Sequence, residues 1–236
     1  MARLIMILLR NLFRLPGVFI KLCIYAKDPD KYPEQERWNL INWAMKKAVG
    51  AANVDLQVFG RENLPAEDGF VLYGNHQGMF DVLALASDST RPLAAVLKKE
   101  LRDVPLVKQA RLVTKSFAMD REDVRQSLTV IKGVTEEVLK GRNYLIFPEG
   151  TRSKTGNQMG EFHGGSFRAA MKAKCPIVPL CFVDCFKVLD QKGLQHLTVQ
   201  MHYLKPIPYE EYKDMKTTEV AELVKSRIQE VLDANT

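Results

Sequence analysis

At 236 residues, the chain is long enough for one domain with a full core, or a domain plus an appendage. Hydrophobic content of 46% and charged content of 26% are ordinary for a globular protein and exclude a disordered or fibrous one. The net charge is +6, of which residues 1–25 supply +4 through Arg3, Arg10, Arg14 and Lys21 with no acid. A local basic arm suits an anionic lipid surface, and no nucleic-acid motif accompanies it.

Residues 4–25 are rich in Leu, Ile, Phe and Val, but Arg10, Arg14 and Lys21 interrupt them. A spanning helix needs roughly 20 mostly apolar residues, and no small-residue cleavage site follows, so neither a transmembrane helix nor a signal peptide is expected. The pattern predicts an interfacial helix, divided or kinked at Pro16, whose cations reach lipid phosphates. A second helix over Trp38–Val49 would set Trp38 and Trp43 at the headgroup level. Residues 1–50 are therefore expected to be membrane-associating helices, the alternative being that they pack on the protein's own core, and residues 51–236 the globular domain.

From Asn53 onward, short apolar runs alternate with helical stretches. Val54, Leu56 and Val58 alternate at strand period; Phe70–Tyr73, Leu93–Leu97, Tyr144–Phe147, Ile177–Val183 and Leu197–Tyr203 are further strands. Helices are expected over Phe80–Ala86, Phe167–Lys174 and Glu219–Leu232, the last capped by Thr217 or Thr218. Val124, Leu128, Ile131, Val134 and Val138 form a 3.6-residue stripe on another. This alternation predicts an α/β fold with a central mixed, largely parallel sheet flanked by helices.

Two clusters carry chemistry. The first is Asn75-His76-Gln77-Gly78-Met79-Phe80-Asp81, directly after an apolar run. A carboxylate on one imidazole nitrogen fixes the tautomer and frees the other nitrogen as a base. On one continuous helix His76 and Asp81 would lie about 140° apart. They meet only if His76 sits in the turn and Asp81 in the first helical turn, which Gly74 and Gly78 would permit. No nucleophile stands beside them, so the base would activate a substrate hydroxyl. The second cluster, Phe147-Pro148-Glu149-Gly150-Thr151-Arg152-Ser153, also follows an apolar strand. Arg152 can grip a phosphate through two N–H bonds, and Thr151, Ser153 and backbone N–H groups add donors. Glu149 would bond a polyol hydroxyl or hold Arg152. The four cysteines, Cys23, Cys175, Cys181 and Cys185, form no metal-ligand spacing, and reduced thiols are expected.

Taken together, the clusters resemble the 1-acyl-sn-glycerol-3-phosphate acyltransferase family. Asn75, His76 and Asp81 match its Asn-His-x4-Asp motif, and residues 147–153 match its Phe-Pro-Glu-Gly-Thr-Arg-Ser motif without a change. Lys98-Lys99-Glu100-Leu101 with Pro105, Asp120-Arg121 and Ile177-Val178-Pro179 are similar to its intermediate blocks, as are Phe162, Gly165 and Phe167 to a joining segment. Two departures, Val107-Lys108 where a glycine is usual and His163 where a lysine is common, bear on the acceptor rather than the reaction class.

The resemblance implies a glycerophospholipid acyltransferase domain over 51–236. It would transfer an acyl chain from acyl-coenzyme A or acyl carrier protein to the sn-2 hydroxyl of 1-acylglycerol-3-phosphate. His76 is the implied base and Asp81 its orienting acid. Lys98, Arg121, Glu149, Gly150, Thr151 and Arg152 are the implied substrate-binding residues, and the oxyanion donors would be backbone N–H groups near Gly150 or Gly78. No metal or other cofactor is expected. The enzyme would lie peripherally or monotopically on the cytoplasmic face of the membrane. Another lysophospholipid, a lyso-aminolipid or glycerol-3-phosphate as acceptor remains an alternative, as do a thioesterase and a non-catalytic lipid-binding protein.

Overall fold

The computed structural model describes residues 2–236, so Met1 of the expected membrane segment lies outside the described residues. Seven strands form the sheet: β1 (Val54–Phe59), β2 (Val71–Gly74), β3 (Leu93–Lys98), β4 (Phe117–Met119), β5 (Asn143–Ile146), β6 (Ile177–Val183) and β7 (Leu197–Tyr203). The helices are α1 (Ala2–Arg10), α2 (Leu15–Lys27), α3 (Glu34–Gly50), α4 (Phe80–Asp88), α5 (Val107–Thr114), α6 (Val124–Leu139), α7 (Arg168–Ala173), α8 (Phe186–Leu189), α9 (Tyr209–Tyr212) and α10 (Thr217–Asn235).

The strand order is β1-β7-β6-β2-β5-β3-β4. Strands β2 to β6 all run parallel, whereas β7 is antiparallel to β6 and carries β1 parallel beside it. The sheet is thus mixed and largely parallel. Its central strands β2, β5 and β6 are buried at every residue, because helices cover both faces. Successive residues serve opposite layers. Leu72, Leu145 and Val178 pack with α3, α4 and α8, while Val71, Tyr144 and Ile177 pack with α6, α7 and α10.

Several expectations need correction. Strand β4 has only three residues, too few to show alternation, and pairs with Val96–Lys98 at the sheet edge. On α6, Ile131, Val134 and Val138 are buried, but Val124 and Leu128 face solvent. Helix α10 takes neither Thr217 nor Thr218 as cap; Glu219 instead reaches back to accept the Lys216 N–H at 2.6 Å.

The amino-terminal region differs most. Pro16 divides the arm as expected: α1 ends at Arg10, and Pro16 lies in the first turn of α2, which its fixed φ suits. Arg3 is buried and donates to the carbonyls of Ala52 (2.7 Å) and Gln195 (2.8 Å), and Arg10 donates to Ala51 O at 3.0 Å. Trp38 is buried too and donates to Ser89 O at 3.0 Å. Arg3 and Trp38 are thus buried in the fold, whereas Arg10 stays exposed beside its one bond to Ala51. Ile7, Leu22, Tyr25, Trp38 and Ile41 join the same core as Phe70 and Leu72, so no packing gap separates residues 2–50 from the sheet. Ile5, Leu9, Ile20 and Trp43 on these helices, and Leu12 and Phe13 in the turn between α1 and α2, stay exposed. Among the described residues, no helix is long and apolar enough to cross a membrane.

Candidate active site

His76 lies two residues beyond β2, in a turn that ends at the start of α4. Asp81 occupies the first turn of that helix, and its Oδ2 meets His76 Nδ1 at 2.8 Å. The strand–turn–helix route brings the i and i+5 side chains together as the sequence requires. Neither Gly74 nor Gly78 has a positive φ, however. Their role is close approach: a Cβ on Gly74 would crowd Leu180 O and Phe182, and one on Gly78 would collide with Asp190.

Asp81 is fully buried, and its Oδ2 also accepts the N–H groups of Gln77 (2.7 Å) and Gly78 (2.9 Å). Burial raises its pKa, while His76 and the two N–H donors pull it back down. Oδ1 of the same group has no partner among the described residues. The imidazole stacks on Phe147 with ring centroids 4.0 Å apart. With Nδ1 held by Asp81 and one face covered, Nε2 is the nitrogen left for a substrate proton.

The second cluster grips the His76 backbone. Glu149 is turned inward rather than toward a ligand or Arg152. Its Oε1 accepts the His76 N–H at 2.7 Å and its Oε2 the Gly160 N–H at 2.8 Å. The Ser153 N–H in turn donates to His76 O at 2.7 Å. Burial raises the Glu149 pKa, and these donors oppose the rise. Asn75 fixes the other side, accepting the Phe182 N–H and donating to Phe182 O, at 2.8 and 2.9 Å. Gln77 accepts the Cys185 N–H and donates to Asn157, tying the turn to the loop before Phe162 and to the end of β6.

Beside this turn lies an open cleft of about 660 Å³ lined by Gln77, Thr151, Arg152, Lys154, Phe186 and Asp190 among others. Arg152 is half-exposed there and donates to Asp190 Oδ1 at 3.2 Å through a single nitrogen. Gly150 takes φ +68°, which turns the chain so that Thr151 and Arg152 reach the cleft. Arg121 is not a cleft-lining residue, although its stem lies 3.7 Å from where a Gly150 Cβ would stand. Lys98 does not line it either; it pairs with Glu100 on the surface at 3.0 Å. The N–H of Gly78 is spent on Asp81 and that of Gly150 on Phe147 O, so neither is free for an oxyanion.

Asp190, Asn157, Lys154 and Phe186 are site residues that the motifs do not reveal. They arrive from the 154–157 loop and the β6–β7 connection, and no local pattern marks them. Among the described residues, no group of three His, Cys, Asp or Glu side chains could hold a metal ion.

Comparison with known proteins bears on this arrangement. The family model described as Acyltransferase matches residues 55–183. A 1-acyl-sn-glycerol-3-phosphate acyltransferase of Salmonella typhimurium is 31% identical over 169 residues, covering 70% of this chain and 69% of that one. One of Saccharomyces cerevisiae is 29% identical over 192 residues, 80% of this chain and 62% of that one. Across three of the curated relatives the match spans 48% to 64% of their length. The crystal structure of a 1-acyl-sn-glycerophosphate acyltransferase from Thermotoga maritima superposes with a TM-score of 0.76 at 19% identity. It covers 99% of this chain and 96% of that one, a likeness of fold.

Proposed function

The chain belongs to the acyltransferase family, and from that premise we propose that it acylates the sn-2 hydroxyl of 1-acylglycerol-3-phosphate, giving phosphatidic acid. The observation that carries this reading is the His76–Asp81 pair, held at 2.8 Å beside a cleft that Arg152 lines. The donor is a thioester of coenzyme A or of acyl carrier protein.

In this reading His76 Nε2 takes the hydroxyl proton as the oxygen attacks the thioester carbonyl. Asp81 stabilises the imidazolium that forms. The tetrahedral intermediate collapses, the C–S bond breaks, and the imidazolium returns its proton to the departing thiolate. General-base assistance of this kind is typically worth about 10²–10⁴-fold. Positioning of the two substrates and stabilisation of the oxyanion supply the rest. The backbone N–H groups of Thr151 and Arg152, which have no partner among the described residues, are the candidate donors.

Arg152 holds the acceptor phosphate, with Lys154 nearby in the cleft. Arg121 and Lys98 belong to the approach rather than the cleft, where residues 91–125 hold nine Lys or Arg against five acids. That surplus suits the phosphates of coenzyme A or an acidic carrier protein. The exposed side of α1 and α2 sets the protein on the cytoplasmic face of a bilayer, from which the acceptor enters. Replacement of Leu9, Leu12 and Phe13 by serine should weaken sedimentation with anionic vesicles; undiminished sedimentation would remove the α1–α2 corner from the membrane contact. Truncation is the poorer test, because Arg3, Ile7 and Leu22 belong to the fold.

The deciding assay supplies palmitoyl-coenzyme A and 1-oleoyl-glycerol-3-phosphate in mixed micelles and follows thiol and phosphatidate together. Matched appearance of both is expected. Thiol without phosphatidate would make the protein a thioesterase instead, and phosphatidate-free acylation of another lysolipid would move the acceptor.

A further inference from the structure

Strands β2 to β6 run the same way, so their carboxyl ends, and the loops that follow, lie at one end of the sheet with His76. Strands β1 and β7 run oppositely, so their starts lie at that end also. Arg3 of α1 bonds to Ala52, Asn53 and Gln195, which lead into those starts, and so places α1 there. Helix α2 packs along α5, and Asp30 beyond the end of α2 pairs with Lys115 at the end of α5. Both helices therefore run away from the catalytic end. The α1–α2 corner and the loop that leads into α5 lie together at it.

That loop, residues 99–106, presents three exposed apolar side chains: Leu101, Val104 and Leu106. Leu106 is held at φ +73°, a region that residues other than glycine seldom adopt. Four half-exposed cations, Lys98, Lys99, Arg102 and Lys108, lie in the same stretch; each makes a surface ion pair, with Glu100, Asp120 or the shared Asp103, that lipid phosphates can replace. The α1–α2 corner adds Phe13, which is 97% exposed. Exposed apolar side chains interspersed with cations match an anionic bilayer: its interface accepts apolar side chains in any register while its phosphates meet the cations.

We propose that the β3–α5 loop is a second membrane-inserting element, which with the α1–α2 corner turns the end of the sheet that carries His76 toward an anionic bilayer. The inference rests on the proposed reading for its purpose, since a membrane-borne acceptor needs the cleft to face its source. Two supports fix an orientation where one would leave the body free to swing.

The test uses the full chain with Cys23→Ser, because the other three cysteines are buried. Val104→Cys is labelled with a nitrobenzoxadiazole dye, and vesicles of phosphatidylcholine with phosphatidylglycerol are added. Leu139→Cys, exposed at the opposite end of α6, is the control. The expected result is a blue shift with rising intensity at position 104, none at 139, and both proteins sedimenting with the vesicles. A water-like signal at 104 on sedimented protein overturns the proposal, as do equal shifts at both positions or failure to sediment. A shift at 104 caused by acyl carrier protein and not by vesicles overturns it in favour of donor docking. None of these readouts depends on turnover, so the loss of the acyltransfer reading would leave them interpretable. As a second measure, serine at 101, 104 and 106 should lower turnover of vesicle-borne acceptor about tenfold while leaving that of a short-chain, monomeric acceptor unchanged. Equal activity on both would sink the functional half of the idea.

Discussion

The His76 turn and the Arg152 loop border one cleft, yet they are held in opposite ways. His76 is anchored within the protein at three points: its N–H to Glu149, its carbonyl to Ser153, its Nδ1 to Asp81. Arg152 is half-exposed and makes one long contact with a carboxylate that could itself move. The difference fits the tasks proposed for the two residues. A base must stand within a few tenths of an ångström of its proton, so its support is built from buried bonds that water cannot contest. A phosphate binder on a large headgroup needs reach and a charge kept soluble until the ligand arrives.

The largest expected effect strikes the rigid half. His76→Ala, or Asp81→Asn, should lower kcat by about 10²–10⁴-fold. Near-normal turnover in a correctly folded His76→Ala protein would end the general-base reading. Glu149→Ala comes next. It leaves the N–H groups of His76 and Gly160 without an acceptor, at about 1–3 kcal/mol for each that stays buried. A lower melting temperature and a lower kcat should appear together, with the acceptor KM little altered. A change confined to KM would return Glu149 to the substrate.

The adaptable half should respond differently. Arg152→Ala should chiefly raise the acceptor KM, by roughly tenfold or more for loss of a charge-assisted contact. If only the donor KM moved, Arg152 would belong to the thioester's phosphates. The smallest effect is expected from Asp190→Asn. An exposed ion pair is worth about 0–1 kcal/mol, so freeing Arg152 should lower the acceptor KM by no more than about fivefold. A rise in KM would instead make Asp190 a support that aims the guanidinium, and the contrast between the two halves would narrow.

Local patterns were readable, and distant pairings were not. The spacing of His76 and Asp81 allowed a contact only across a strand–turn–helix bend, and the fold supplies that bend. Glu149 carries no sign that its partners are backbone N–H groups, one of them 73 residues earlier in the chain. Asp190 reaches Arg152 across 38 residues from a connection with no motif. The strands with four or more residues stood out through apolar runs, whereas the three-residue β4 needed its neighbour β3 to define it.

By itself the sequence determined the α/β alternation, the two motifs and the family they belong to, because periodicity and short-range spacing are properties of the chain. Only the tertiary structure decided which side of each amphipathic element meets the protein's own core. Arg3 and Trp38 looked suited to a membrane and are buried, while Val124 and Leu128 looked like core and are exposed. The hydrophobic effect rewards removal of apolar surface from water without specifying the partner, so the pattern shows that a face is apolar and the fold decides what covers it.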